Sequence, residues 1–180
     1  MRQWINFYYY LPLERYEAHV LTVELGKEAM TDAQELFDVY KRALGIFECV
    51  FSMDDEVMLV INTYPCDGIN PRPRSIKPYL KNERLHRTLN AFMEKGPHEE
   101  DIMHYYLTCR WGELKNKKLI LHLCQHDLVK GVKPMNDYYF IQLEKKRCVR
   151  MQDDRFIDLI FKDESDKTRM IGCLLATNLL

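Results

Sequence analysis

Glycine is scarce in this chain and never clustered. Its seven glycines are spread over 180 residues, and no two stand within fifteen residues of each other. Glycine-rich loops that cradle phosphates are thereby excluded, and neither G-x-G-x-x-G, a P-loop nor G-x-S-x-G occurs. Proline is equally sparse, at seven residues, which argues against a collagen-like or linker-rich chain. The six cysteines, at 49, 66, 109, 124, 148 and 173, never form C-x-x-C. Scattered cysteines in a chain of this length point to reduced thiols in a cytosolic protein rather than to a disulfide or zinc framework. No apolar run approaches the ~20 residues that span a bilayer. The first dozen residues, Met1 to Pro12, are too short and too polar for a secretory signal. The expectation is a soluble cytoplasmic protein without membrane contact. The formal net charge of −1 supplies no global pull toward nucleic acid or anionic lipid.

What remains is ordinary globular composition, with 47% apolar and 29% charged residues, enough to build one core. One domain over residues 1–180 is expected, with a proline-rich loop at 65–78 inside it. Tyr16 to Leu25 ends in a polar–apolar alternation that suits a strand. Thr31 and Gln34 match a capping box for a helix carrying Leu36, Tyr40, Leu44, Phe47 and Phe51 on one face. Val57 to Ile61 is apolar throughout, as a strand covered on both faces should be. Asn82 predicts a helix from Glu83 to about Lys95, with Leu85, Leu89 and Phe92 inward and Gly96-Pro97 as its stop. Met103 to Trp111 alternates and reads as a strand. Lys117 to Leu128 reads as a helix. Tyr138 to Glu144 and Cys148 to Gln152 read as a hairpin joined at Lys145-Lys146. Phe156 to Phe161 fits a strand or a short buried helix, and Ser165 is expected to cap a last helix.

This order predicts an α+β fold with a mixed or antiparallel sheet of about five strands and helices packed mainly on one face. A parallel α/β sheet is the alternative.

Several segments carry a resemblance: I-F-E-C-V-F-S-M-D-D-E-V-M-L-V-I-N-T-Y (46–64), K-P-Y-L-K-N-E-R-L (77–85), C-Q-H-D (124–127), Y-F-I-Q-L (139–143) and, most distinctively, Q-D-D-R-F-I-D-L-I (152–160). On these the chain resembles domain-of-unknown-function family 3885. The resemblance implies an intracellular bacterial domain and carries over no catalytic residue, cofactor or substrate. Family members usually have glycine after the Asp-Asp-Arg triplet, where this chain has Phe156.

Three segments attract a functional reading, each beside a structural one. Asp153, Asp154 and Arg155 offer adjacent carboxylates and a guanidinium for a metal or polar partner. Equally they suit a turn held by Asx-type hydrogen bonds. Segment 72–95 has seven basic residues, among them Arg74 and Lys77, against Glu83 and Glu94. With Tyr79 it suits an acidic partner or phosphate, or else a solvated face. Segment 14–56 has eleven acidic and four basic residues, and suits either a nucleic-acid mimic or another charged helix face. His122 and His126 are spaced i, i+4 but lack the glutamate of H-E-x-x-H and a third ligand, so no metal is assigned.

No catalytic residue and no cofactor emerge. The expected function is a protein-binding module of immunity or antitoxin type, with a toxin as the protein partner. A metal-dependent hydrolase using the Asp-Asp-Arg segment and Asp158, or a weak nucleic-acid binder through 72–95, are the alternatives.

Overall fold

A computed structural model describes residues 19–26, 32–63, 74–95, 101–125, 136–151 and 155–180. Seven strands form one sheet: β1 (Val20–Glu24), β2 (Glu56–Thr63), β3 (Asn90–Lys95), β4 (Asp101–Arg110), β5 (Asn136–Gln142), β6 (Arg147–Met151) and β7 (Phe156–Ile160). Their order is β1-β7-β6-β5-β2-β4-β3. Every pairing is antiparallel, so the parallel alternative is overturned. The helices are α1 (Asp32–Val50), the single-turn α2 (Glu83–His86), α3 (Asn116–Cys124) and α4 (Glu164–Ala176). Arg74–Tyr79 and Trp111–Glu113 form 3-10 turns.

The fold is α+β as expected, but with seven strands rather than about five. The extra strands have distinct causes. Residues 83–95 do not form one helix: Asn82 caps only α2, accepting from the Arg84 amide at 2.9 Å. The chain then extends into β3, where pairing with β4 overrides the helical spacing of Leu85, Leu89 and Phe92. Phe156–Ile160 takes the strand alternative, held between β1 and β6.

β2 lies between β4 and β5, so its V-M-L-V-I run is buried on both faces. Val57, Leu59 and Ile61 join the main core, with α1, α3 and α4 all contributing to the same cluster. At its centre Phe47 stacks on Trp111 at 5.6 Å, and Phe140 meets Phe47 edge-on at 5.0 Å. Met58 and Val60 point to the opposite face, into a smaller cluster with Ile141, Leu143, Cys148 and Ile160.

Two details of the helices differ from the sequence reading. On α1 the buried residues are Val39, Ala43, Ile46, Phe47 and Val50, while Leu36, Tyr40 and Leu44 flank them half-buried. The helix is turned relative to the expected stripe; Thr31 lies outside the described residues. On α4 the cap is Asp163, not Ser165. The Asp163 carboxylate accepts from the Asp166 amide at 3.0 Å, and the Ser165 hydroxyl donates to that carboxylate at 2.7 Å.

The β5–β6 hairpin turns at Lys145-Lys146, with Lys146 at φ 54°. Behind it, the Arg147 guanidinium clasps Asp166 of α4 through two bonds of 2.5 Å, tying hairpin to helix.

Candidate functional site

An antiparallel sheet sends alternate side chains to opposite faces. In β7, F-I-D-L-I sends Ile157 and Leu159 into the main core and Asp158 to the other face. In β6, Val149 and Met151 enter the main core and Arg150 faces the other way. Register then aligns one residue from every strand: Thr22, Asp158, Arg150, Tyr139, Val60, Tyr106 and Asn90. A transverse row, charged at one end and aromatic in the middle, runs across the second face.

The charged end is fixed by direct contacts. The Thr22 hydroxyl donates to the Asp158 carboxylate at 2.7 Å. The Arg150 guanidinium lies 4.0 Å from the other Asp158 oxygen and 5.7 Å from the centre of the Tyr139 ring. Asp158 is buried, at 4% exposure. A polar group at this depth needs such partners to offset its lost hydration. Among the described residues, the buried Arg150 Nε has no hydrogen-bond partner.

A neighbouring row on the same face aligns Asp137, Asn62, His104 and Phe92. His104 Nδ1 lies 2.8 Å from the Asn62 side-chain oxygen, and the Phe92 ring stacks on the imidazole at 4.7 Å. Asn62 and His104 are buried, while Tyr139, Tyr106 and Phe92 are half-buried. In the adjacent cluster, burial pushes the Cys148 thiol up to about 12, so it serves as a small apolar group.

The residues singled out from sequence lie elsewhere. Asp153 and Asp154 are outside the described residues. Arg155 is exposed at the entry to β7, and its carbonyl accepts from the Leu25 amide at 2.6 Å. Arg74 opens the 3-10 turn, where only its backbone is described. Lys77 is exposed and forms an ion pair with Glu83 at 3.4 Å. Tyr79 is buried against the His122 ring at 5.3 Å, with Lys118 Nζ 5.9 Å from its centre. Burial, and secondarily Tyr138, raises the Tyr79 hydroxyl above its usual value. Arg74, Lys77 and Tyr79 thus share one turn, and Arg155 sits beside β1. His126 falls outside the described residues. Among those described, no group of three or more His, Cys, Asp or Glu side chains converges as a metal site.

Sequence reasoning reached Asp158 only as an accessory carboxylate and missed Thr22, Arg150 and Tyr139. One signal was available: an aspartate interrupting the apolar run F-I-D-L-I-F needs a partner across the sheet.

These features define an α+β protein on one antiparallel sheet, with its helical residues in one core and a polar–aromatic row on the reverse face. The chain belongs to the family described as Domain of unknown function (DUF3885), whose sequence model matches residues 2–171. Neither the curated proteins nor the solved structures contain a match to it. Among the described residues, no helix is long and apolar enough to cross a membrane.

Proposed function

We propose that the chain is a protein-binding module without catalytic activity, and that it docks its partner through the exposed and half-buried members of the row on the second sheet face, Thr22, Arg150, Tyr139, Tyr106 and Asn90. The observation that carries this reading is the Thr22–Asp158–Arg150–Tyr139 network. Arginine and tyrosine dominate interface hot spots, and here both are half-buried on strands. The Asp158 carboxylate 4.0 Å from Arg150 attracts the guanidinium toward this face before a partner arrives, which reduces the ordering cost of binding. Tyr106 and Asn90 extend the surface toward the β3 edge.

Within this class, the partner proposed is a toxin, neutralised in the manner of an immunity or antitoxin protein in the cytoplasm. Mixed charge and eleven tyrosines support an adaptable protein interface. The hydrolase alternative has weaker support, because Asp158 is already engaged by Thr22 and Arg150. Nucleic-acid binding through 72–95 is weakened by the Lys77–Glu83 pair and by the burial of Tyr79.

The test places a photo-crosslinking amino acid at Tyr106 or Tyr139 in cells that naturally make the chain. A third variant carries it at Phe37, which is exposed on α1. The expected result is one protein adduct shared by the two row positions, absent at Phe37 and lost when Arg150→Ala is added. Equal labelling at all three positions, or an adduct indifferent to Arg150→Ala, refutes the proposed face.

A further inference from the structure

The β5–β6 hairpin and the start of α4 enclose a cavity of about 490 Å³, lined by Lys145, Lys162, Asp163, Ser165, Asp166 and Arg169. Its cations come from separate parts of the chain. Lys145 belongs to the hairpin turn, Lys162 to the residues between β7 and α4, and Arg169 to the second turn of α4. The clasp of Arg147 on Asp166 ties these walls together.

The two carboxylates of the lining are committed to the protein itself. One Asp163 oxygen accepts from the Asp166 amide at 3.0 Å and from the Ser165 hydroxyl at 2.7 Å. Both Asp166 oxygens accept from Arg147. Arg169 is therefore a supplementary donor to Asp166, and its side chain is 71% exposed. Lys145 forms a loose pair with Asp55 at 3.8 Å, and that carboxylate already accepts from the Ser52 amide at 2.6 Å and the Gln142 side chain at 2.5 Å. Lys162 is exposed. Glu164, outside the lining, has His19 at 3.4 Å and Lys167 at 4.0 Å. Three long cationic side chains can thus turn onto one anion while the lining carboxylates keep their own partners.

We propose that this cavity binds a small anion carrying two phosphoryl groups and no base. Phosphoryl oxygens accept the charge-assisted hydrogen bonds that one guanidinium fork and two ammonium groups supply. The size selects against a lone phosphate: at ~30 Å³ per water, the cavity holds many more waters than one phosphate displaces. Among the described residues lining it there is no aromatic ring, so a nucleobase finds nothing to stack on. Arg147 alternates with Val149 and Met151 on the helix-bearing side of the sheet, opposite the proposed docking row. The two readings therefore stand or fall separately.

The test titrates the folded full-length chain with inorganic pyrophosphate, followed by calorimetry and by amide NMR spectra, with sulfate at matched ionic strength as the comparison. Saturable binding about tenfold or more tighter than sulfate is expected, with amide shifts confined to residues 144–146 and 162–169. Lys145→Glu and Lys162→Glu should each weaken binding about tenfold, the loss of one charge-assisted hydrogen bond. Lys81→Glu and Lys117→Glu, exposed and outside the lining, should change it less than about twofold. The proposal fails if pyrophosphate binds no tighter than sulfate, if the shifts fall elsewhere, or if reversal at Lys81 or Lys117 costs as much as reversal at Lys145 or Lys162. Adenosine diphosphate binding tighter than pyrophosphate would overturn the assignment of a ligand without a base.

Discussion

Asp166→Asn and Arg147→Met remove opposite halves of one ion pair, and the surroundings make their costs unequal. The Arg147 side chain is 7% exposed and Asp166 12%. Two 2.5 Å bonds join them, and Arg169, itself 71% exposed, reaches the same carboxylate. Removing the carboxylate strands a buried guanidinium, a loss of about 3–5 kcal/mol. Removing Arg147 leaves Asp166 with Arg169 near water, and a methionine stem refills the volume. A cost of ~1–2 kcal/mol is expected there. At 2–4 °C per kcal/mol for a chain of this size, Asp166→Asn should melt roughly 6–20 °C lower, and Arg147→Met only about 2–8 °C lower. The double variant should regain ~1–2 kcal/mol over Asp166→Asn, because no cation is left stranded. Hydrogen bonding from Arg147, reinforced by Arg169, holds the Asp166 carboxyl below its usual value near 3.8. The stabilisation is therefore complete above that value. It is lost as pH falls through the depressed folded value, and the gap between wild type and Asp166→Asn should narrow below about pH 4. Thermal melts by circular dichroism across pH measure all of this. An Arg147→Met variant less stable than Asp166→Asn at pH 7, or a gap that widens in acid, would refute the reasoning.

Gly112→Ala places a Cβ 2.8 Å from the Met53 carbonyl oxygen, a backbone atom that cannot swing aside. A loss of ~1–3 kcal/mol in urea unfolding is expected, and a neutral result would show that the 52–55 turn shifts freely. Burial pushes the Cys109 and Cys148 thiols up to about 12 from 9.0. Their contribution to stability is full below pH 9 and declines as pH rises toward about 12, where unfolded thiols ionise and folded ones do not. In the native chain at pH 8 both should resist iodoacetamide until denaturant is added, and rapid native alkylation of either would contradict this burial.

How much of this was legible depended on whether the signal was local. The unbroken V-M-L-V-I run marked β2 as buried on both faces because its own residues carry the information. The alternation from Met103 to Cys109 gave the facing of β4, and Lys145-Lys146 gave the hairpin turn. Asn90–Lys95 was misread because Leu85, Leu89 and Phe92 repeat at helical spacing, and only β4, paired alongside, draws the segment into a strand. The site row was illegible for the same reason. Thr22 and Asp158 are far apart in sequence and meet only through the β1–β7 register. The aspartate inside an apolar run signalled a need without naming the residue that meets it.

Strand order has a consequence for synthesis on the ribosome. β1 is among the first described segments to be made and β7 the last strand, yet β7 is the neighbour that holds β1 in the sheet. At 5–20 residues per second, the emerging β1 waits ~7–27 s for that neighbour. The five strands from β2 to β6 are complete before β7 emerges, so the sheet closes at its β1 edge last. Thr22 and Asp158 are then among the final side chains of the sheet to meet, and the row proposed to dock a partner is finished only after β7 has emerged.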